Sequence, residues 1–348
     1  MALGLLVHTV GSTYRKPGAM LLTASDGEYA GLISGGCLEG DLGERARAVI
    51  ASGKAALVTY DLRNADDLVW GLGLGCEGAM HILLLRVGPQ EEWQPLAHLA
   101  AALAARKPTA VGIVAESVEP GIPAGALLLP QDDGDGALTL PRSLAATARA
   151  ALLEPHMRAA LGAAPRSAAI GWVAQPGARW KALLLPLSLP PRLLLLGAGP
   201  DALPVVDFAA RTHWQVTLVD HRPAYAVPWH FPSAERVVLA RPEEIAQAVD
   251  FGQFAAAVVM SHHLPSDLEY LRALSASSLA YIGLLGPPAR REKLLSELGP
   301  EAERLRPRLR APVGLNLGGR TPESIALAIV AEVHAFVHGM QQARSANE

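Results

Sequence analysis

The chain has 348 residues, half of them apolar and only 5% aromatic, with 30 Lys and Arg against 33 Asp and Glu for a formal net charge of −3. That near-balance, with no basic stripe or tail, argues against a nonspecific nucleic-acid binder and leaves room for a local anion site. Two cysteines, Cys37 and Cys76, exclude a disulfide-dense secreted scaffold. No apolar run reaches the roughly 20 residues of a membrane span before Gly, Pro, His or charge interrupts it. The opening residues lack a basic segment followed by an apolar core, so the sequence reads as cytoplasmic, without a signal peptide or membrane span.

In chain order, the pattern predicts strands over 5–9, 19–23 and 29–33, with a turn-rich loop at 11–18. A helix follows over 38–52, then a strand at 56–61, a glycine-rich segment over 66–78 and a strand at 79–87. Residues 91–106 read as helix, 110–115 and 126–129 as strands, 132–136 as an exposed turn and 141–163 as helix ended or interrupted by Pro155. Strands at 170–173 and 181–185 are predicted to return to the first sheet. Three prolines in 186–191 mark a linker.

Beyond the linker, strands at 193–196, 216–219, 237–239, 256–260 and 281–284 alternate with helices at 205–210, 243–249, 267–274 and 289–298. This rhythm predicts a mostly parallel sheet with helices on both faces. Thr321, Pro322 and Glu323 are start signals for a last helix. The fold class is therefore α/β. A mixed α/β domain spans 1–185, the linker 186–191, a Rossmann-like domain 192–338 and a polar tail 339–348.

The segment Leu193 to Ala202 reads Gly197-Ala198-Gly199-Pro200-Asp201-Ala202 directly after a buried-strand pattern. Gly197 permits the tight turn, Gly199 close ligand approach and Ala202 close helix–strand packing. Asp220, 23 residues after Gly197, ends the next strand and can bind a ribose hydroxyl, which favours NAD over NADP. Pro200 removes an amide donor that would otherwise face phosphate, and the glycines alone also suit a plain βα turn. His262, in Ser261-His262-His263, falls at the carboxyl edge of the sheet, as a ligand contact or as loop packing. Arg290, Arg291 and Lys293 form a basic cluster, suited to phosphate or to a solvated helix face.

In the first domain, Gly11 to Gly18 carries Arg15 and Lys16. Arg15 can grip an oxyanion bidentately or join a surface ion pair. Ser34-Gly35-Gly36-Cys37-Leu38-Glu39 lies between a strand and a helix start, where Gly35 and Gly36 leave backbone amides open. That setting favours anions and depresses a thiol pKa, so Cys37 reads either as a ligand thiolate or as small-residue packing. Glu39 is suited to capping, local pairing or positioning a ligand. Cys76 lies in Gly71-Leu72-Gly73-Leu74-Gly75-Cys76-Glu77-Gly78, a second loop that permits close approach.

Taken in order, these motifs resemble the XdhC/CoxI family of accessory proteins for molybdenum hydroxylases. The resemblance rests on Gly11-Ser12-Thr13-Tyr14-Arg15-Lys16-Pro17-Gly18, Gly31-Leu32-Ile33-Ser34-Gly35-Gly36-Cys37-Leu38-Glu39 and Trp70 to Gly78. Gly197 to Ala202, Tyr281 to Gly286, Ala311 to Asn316 and Thr321 to Ala326 complete it. It covers roughly residues 5–335.

The resemblance implies a protein that binds, protects and helps insert the sulfurated, pterin-based molybdenum cofactor into a xanthine dehydrogenase-like or carbon monoxide dehydrogenase-like apo-enzyme. In that reading it is a non-catalytic chaperone rather than an enzyme. Cys37 and Cys76 map to the family's two cysteine motifs, which puts Cys37 near molybdenum. A homodimer and a cysteine desulfurase partner are also implied. The family's usual histidine after Gly-Ala-Gly is Pro200 here, and its usual helix before the first strand is missing, which points to a shortened or mis-started N-terminus. The other readings are an NAD-dependent oxidoreductase with Asp220 at the ribose, and an interaction protein with a degenerate Rossmann domain.

Overall fold

The computed structural model describes residues 1–36, 38–61, 63, 78–119, 122–129, 171–173, 179–187 and 189–339. The turn expected at 132–136 and the helix expected over 141–163 lie outside them, as do Cys37, Cys76 and the tail from residue 340. The chain divides into two units, Met1–Leu189 and Pro190–Glu348.

The first unit is built on β1 (Ala2–Gly11), β2 (Met20–Thr23), β3 (Tyr29–Gly31), α1 (Glu39–Ser52), β4 (Ala56–Asp61) and β5 (Gly78–Arg86). The five strands form one sheet in the order β3-β2-β1-β5-β4, with every neighbouring pair antiparallel. Alternation along β1 sends Leu6 to one face and Leu5 and Val7 to the other. On the Leu6 face, Leu42 and Val49 of α1 pack with Leu21, Met80 and Ile82.

The opposite face meets a second sheet. It comprises β6 (Thr109–Ser117), β7 (Leu127–Leu128), β8 (Gly171–Val173) and β9 (Trp180–Leu187), preceded in the chain by α2 (Leu96–Ala105). Its order is β7-β6-β9-β8, so the strands expected to rejoin the first sheet instead make a separate one with β6. Period-2 alternation fixes which side chains point together, but not which strand supplies the backbone partner. Here Leu5, Val7, Leu83 and Leu85 pack face to face with Val111, Ile113, Leu183 and Leu185.

The second unit holds β10 (Arg192–Leu196), α3 (Ala202–Arg211), β11 (Gln215–Asp220), β12 (Arg236–Leu239), α4 (Ile245–Ala248) and β13 (Ala256–Val259). It continues with α5 (Leu264–Ser275), β14 (Ile282–Leu284), α6 (Pro288–Leu298), α7 (Ala302–Leu305), β15 (Leu309–Arg310) and α8 (Pro322–Val337). All six strands are parallel, in the order β12-β11-β10-β13-β14-β15. This is the Rossmann arrangement, with its order reversing beside β10.

The central strands are apolar throughout because both faces are covered. Leu193 and Leu195 face α3 and α8, whereas Leu194 and Leu196 face α5 and α6. The Thr321 hydroxyl accepts from the Ser324 N–H at 3.2 Å and caps α8, the role its sequence position implies. Among the described residues, no helix is long and apolar enough to cross a membrane.

Candidate functional site

Strand direction brings the glycine-rich motifs of the first unit to one end of its sheet. β1 finishes at Gly11, paired with Gly78 at the start of β5. β4 finishes at Asp61, paired with Ala79. β3 runs parallel to β1 through the intervening β2 and finishes at Gly31, opposite Leu21. The connection carrying Arg15, both strands that bound residues 62–77, and the turn after β3 therefore open in the same direction.

They open at different heights. β1 and β5 continue from Leu6 to Gly11 past the start of β2, which pairs with Leu5. The Arg15 connection returns along β1, the Gly18 N–H donating to Leu6 O at 2.8 Å. Thr13 Oγ1 donates to Arg15 O at 2.9 Å, and the Arg15 side chain is exposed. Gly78 sits hard against this connection, since a Cβ there would lie 2.4 Å from Ser12 O. The Arg15 loop thus packs two residues from Cys76 in the sequence.

The turn after β3 is braced by a buried carboxylate. Glu39, 5% exposed, accepts from the Ser34 N–H at 2.8 Å, the Ile33 N–H at 3.3 Å, the Leu38 N–H at 3.2 Å and the Ser34 hydroxyl. Ser34 Oγ also accepts from the Leu38 N–H at 3.1 Å. Burial pushes the Glu39 carboxyl up, but these bonds, led by Ser34, outweigh it and hold the group below its ordinary value.

Gly35 and Gly36 are exposed, and a Cβ on either would meet no atom within 4 Å. Gly36 has φ +104°, a left-handed conformation that favours glycine. The turn leading to residue 37 is therefore fixed from inside by Glu39 at Ile33, Ser34 and Leu38, and is open to solvent at Gly35 and Gly36. Cys37 and Cys76 themselves lie outside the described residues.

In the second unit, Gly197 (φ +120°) is required by packing, because a Cβ would lie 2.6 Å from Met260 O. Asp220, 1% exposed, turns back onto this loop, accepting from the Ala198 N–H at 2.8 Å and from Arg222 at 2.7 and 3.0 Å. Burial raises its pKa; the Arg222 guanidinium and two backbone donors lower it by more, for a net depression. Arg222 also stacks on Tyr225, 3.9 Å from the ring centroid. Gly199 abuts Asp201, whose carboxylate bonds His262 Nε2 at 2.7 Å. His262 is exposed and left-handed at φ +59°.

Sequence reasoning did not single out Asp201 or Asp267. Asp267, 1% exposed in the first turn of α5, accepts from the Ser261 hydroxyl at 2.5 Å and from Arg290 at 2.6 and 3.2 Å. A small hydroxyl just after a strand, with an acid in the next helix's first turn, was the available signal. Among the described residues, no group of three or more His, Cys, Asp and Glu is placed to hold a metal ion.

An antiparallel first unit with glycine-rich connections at one sheet end, followed by a Rossmann-type unit, defines the class of protein. Residues 193–333 match the XdhC Rossmann domain, and residues 1–61 match the XdhC and CoxI family. Over 332 residues the chain is 32% identical to a Bacillus subtilis (strain 168) protein named as a probable xanthine dehydrogenase subunit, covering 95% of this chain and 91% of that one. The chain belongs to the XdhC and CoxI family. A crystal structure from Bacillus halodurans, titled a xanthine dehydrogenase, superposes with a TM-score of 0.77 at 28% identity, covering 99% of this chain and 94% of that one. A 146-residue stretch is also 30% identical to the Escherichia coli (strain K12) protein YqeB, covering 41% of this chain and 27% of YqeB.

Proposed function

We propose that this protein is a carrier that binds the sulfurated pterin molybdenum cofactor, shields it and delivers it to a xanthine dehydrogenase-family apo-enzyme. The observation that carries this reading is the shared sheet end on which the Arg15 connection, the Glu39-braced turn and the strands bounding the second glycine-rich segment all open. The relative named for xanthine dehydrogenase supplies the class of client.

In this reading Cys37 contacts the molybdenum end, with Cys76 as a second thiol. The exposed Gly35 and Gly36 give the cofactor access to backbone amides, and Arg15 meets its anionic portion. Glu39 positions the turn from beneath. The sulfurated cargo comes from a cysteine desulfurase in the cytoplasm, and the carrier works as a homodimer.

The test is transfer. Sulfurated cofactor incubated anaerobically with the protein, then with a molybdenum-free xanthine dehydrogenase, should restore more hydroxylase activity than the same cofactor added alone. Equal recovery with and without the protein would contradict the carrier function.

A further inference from the structure

The C-terminal unit contains a cleft of about 380 Å³ at the carboxyl edge of the β10–β13–β14 sheet, bounded by α3 and α8. Its volume is toward the lower end of the roughly 300–1,000 Å³ usual for small-molecule sites. Val205, Met260, Leu285, Ile325 and Ile329 make its walls apolar, while Arg290, Arg320 and the Asp201–His262 pair supply the polar groups.

The adjoining loop does not fit a dinucleotide. A pyrophosphate at this turn needs free amide donors and a positive helix end. Here Pro200 has no N–H, and the Ala198 N–H is consumed by Asp220. The Ala202 N–H is turned onto Gly199 O at 2.9 Å. Asp220, the acid expected at the ribose, is buried and paired with Arg222.

The cleft itself is lined by two arginines. Arg290 lines it with its guanidinium held from behind by the buried Asp267. Arg320 lines it too, is exposed and makes no ion pair among the described residues. Arg290 is bonded to Asp267 and the Asp201 carboxylate to His262, which leaves Arg320 as the lining arginine with no ion pair among the described residues. Apolar walls beside a cation suit a compact ligand with one anionic group and a flat or aliphatic body.

We infer that this cleft binds a small organic anion, a carboxylate or a phosphate monoester with an apolar body, and not NAD or NADP. Ile325 and Ile329 contact the body, and Arg320 with the Asp267-braced Arg290 holds the anion. All of these residues belong to the second unit, and the site does not rest on the cofactor-carrier reading.

The test uses the full chain with isoleucine methyl groups labelled for NMR, titrated separately with phenyl phosphate, benzoate, NAD and NADP. Phenyl phosphate or benzoate should saturate shifts of the Ile325 and Ile329 methyls, and the tighter of the two identifies the anion. Arg320→Ala, at an exposed position, should weaken that binding about tenfold, the scale of one charge-assisted hydrogen bond. NAD and NADP should not displace the bound anion. Silence of both methyls toward both anions, equal affinity in the variant, or displacement by either dinucleotide would overturn the inference.

Discussion

Glu39→Ala is expected to destabilise the first unit by about 3–5 kcal/mol, because several neutral donors buried in one turn lose their acceptor at about 1–3 kcal/mol each. The carboxylate satisfies three backbone N–H groups and the Ser34 hydroxyl inside a turn closed to water at Ile33, Ser34 and Leu38. Of these donors, the Leu38 N–H has a second acceptor, Ser34 Oγ. Removing Glu39 takes the carboxylate acceptor from the Ile33 and Ser34 N–H groups and the Ser34 hydroxyl, and frees the turn that leads into residue 37. Glu39→Gln should cost less, because its amide oxygen keeps part of the acceptor set while the NH₂ faces donors.

The pH dependence follows from the depressed folded pKa. Glu39's contribution is fully present above its ordinary value near 4.5 and is lost as pH falls through the lower folded value. Denaturant titration of wild type and Glu39→Gln should therefore give a stability difference that narrows below that pH. A constant difference from neutral to acid pH would contradict the assignment.

Asp267→Ala should cost the second unit about 3–5 kcal/mol, since breaking a buried ion pair leaves an uncompensated charge. The Arg290 side chain retains 21% exposure, so the loss belongs at the lower end. The Ser261 hydroxyl loses its acceptor at the same time. Replacing both partners, Asp267→Ala with Arg290→Met, should recover a large part of the loss, because no charge is then stranded. Thermal unfolding of the two single variants and the double variant measures this coupling; purely additive losses would show that the pair is not a unit.

Local signals made much of the architecture legible. The apolar run of Leu193 to Leu196, followed by Gly197 and a helix, announced the Rossmann-type unit, and Thr321-Pro322 announced the start of α8. Strand partnership was not legible. The 181–185 pattern suits any half-buried strand, and only contact with Val111 and Ile113 assigns it to a second sheet.

At the site, the sequence identified the turns but not the work done by their acids. Asp220 and Glu39 were both candidates for ligand contact, yet each carboxylate bonds its own loop, at Ala198 and Ser34 respectively. Whether an acid faces outward or braces the backbone depends on side-chain direction and burial, which spacing does not encode. The common sheet end was equally hidden, because it arises from four antiparallel pairings, including that of β1 with β5, which lie far apart in the chain.

At the centre of the proposed function, the Glu39-braced turn presents Cys37 to the molybdenum cofactor. The most direct measurement is anaerobic binding of the sulfurated cofactor to wild type and to Cys37→Ala, with folding of both checked by thermal unfolding. Wild type should bind saturably, and the variant should lose on the order of 10–100-fold in affinity, the scale at which disturbing a metal's surroundings weakens its hold. Equal affinity in the two proteins, or no binding by either, would contradict this role for Cys37.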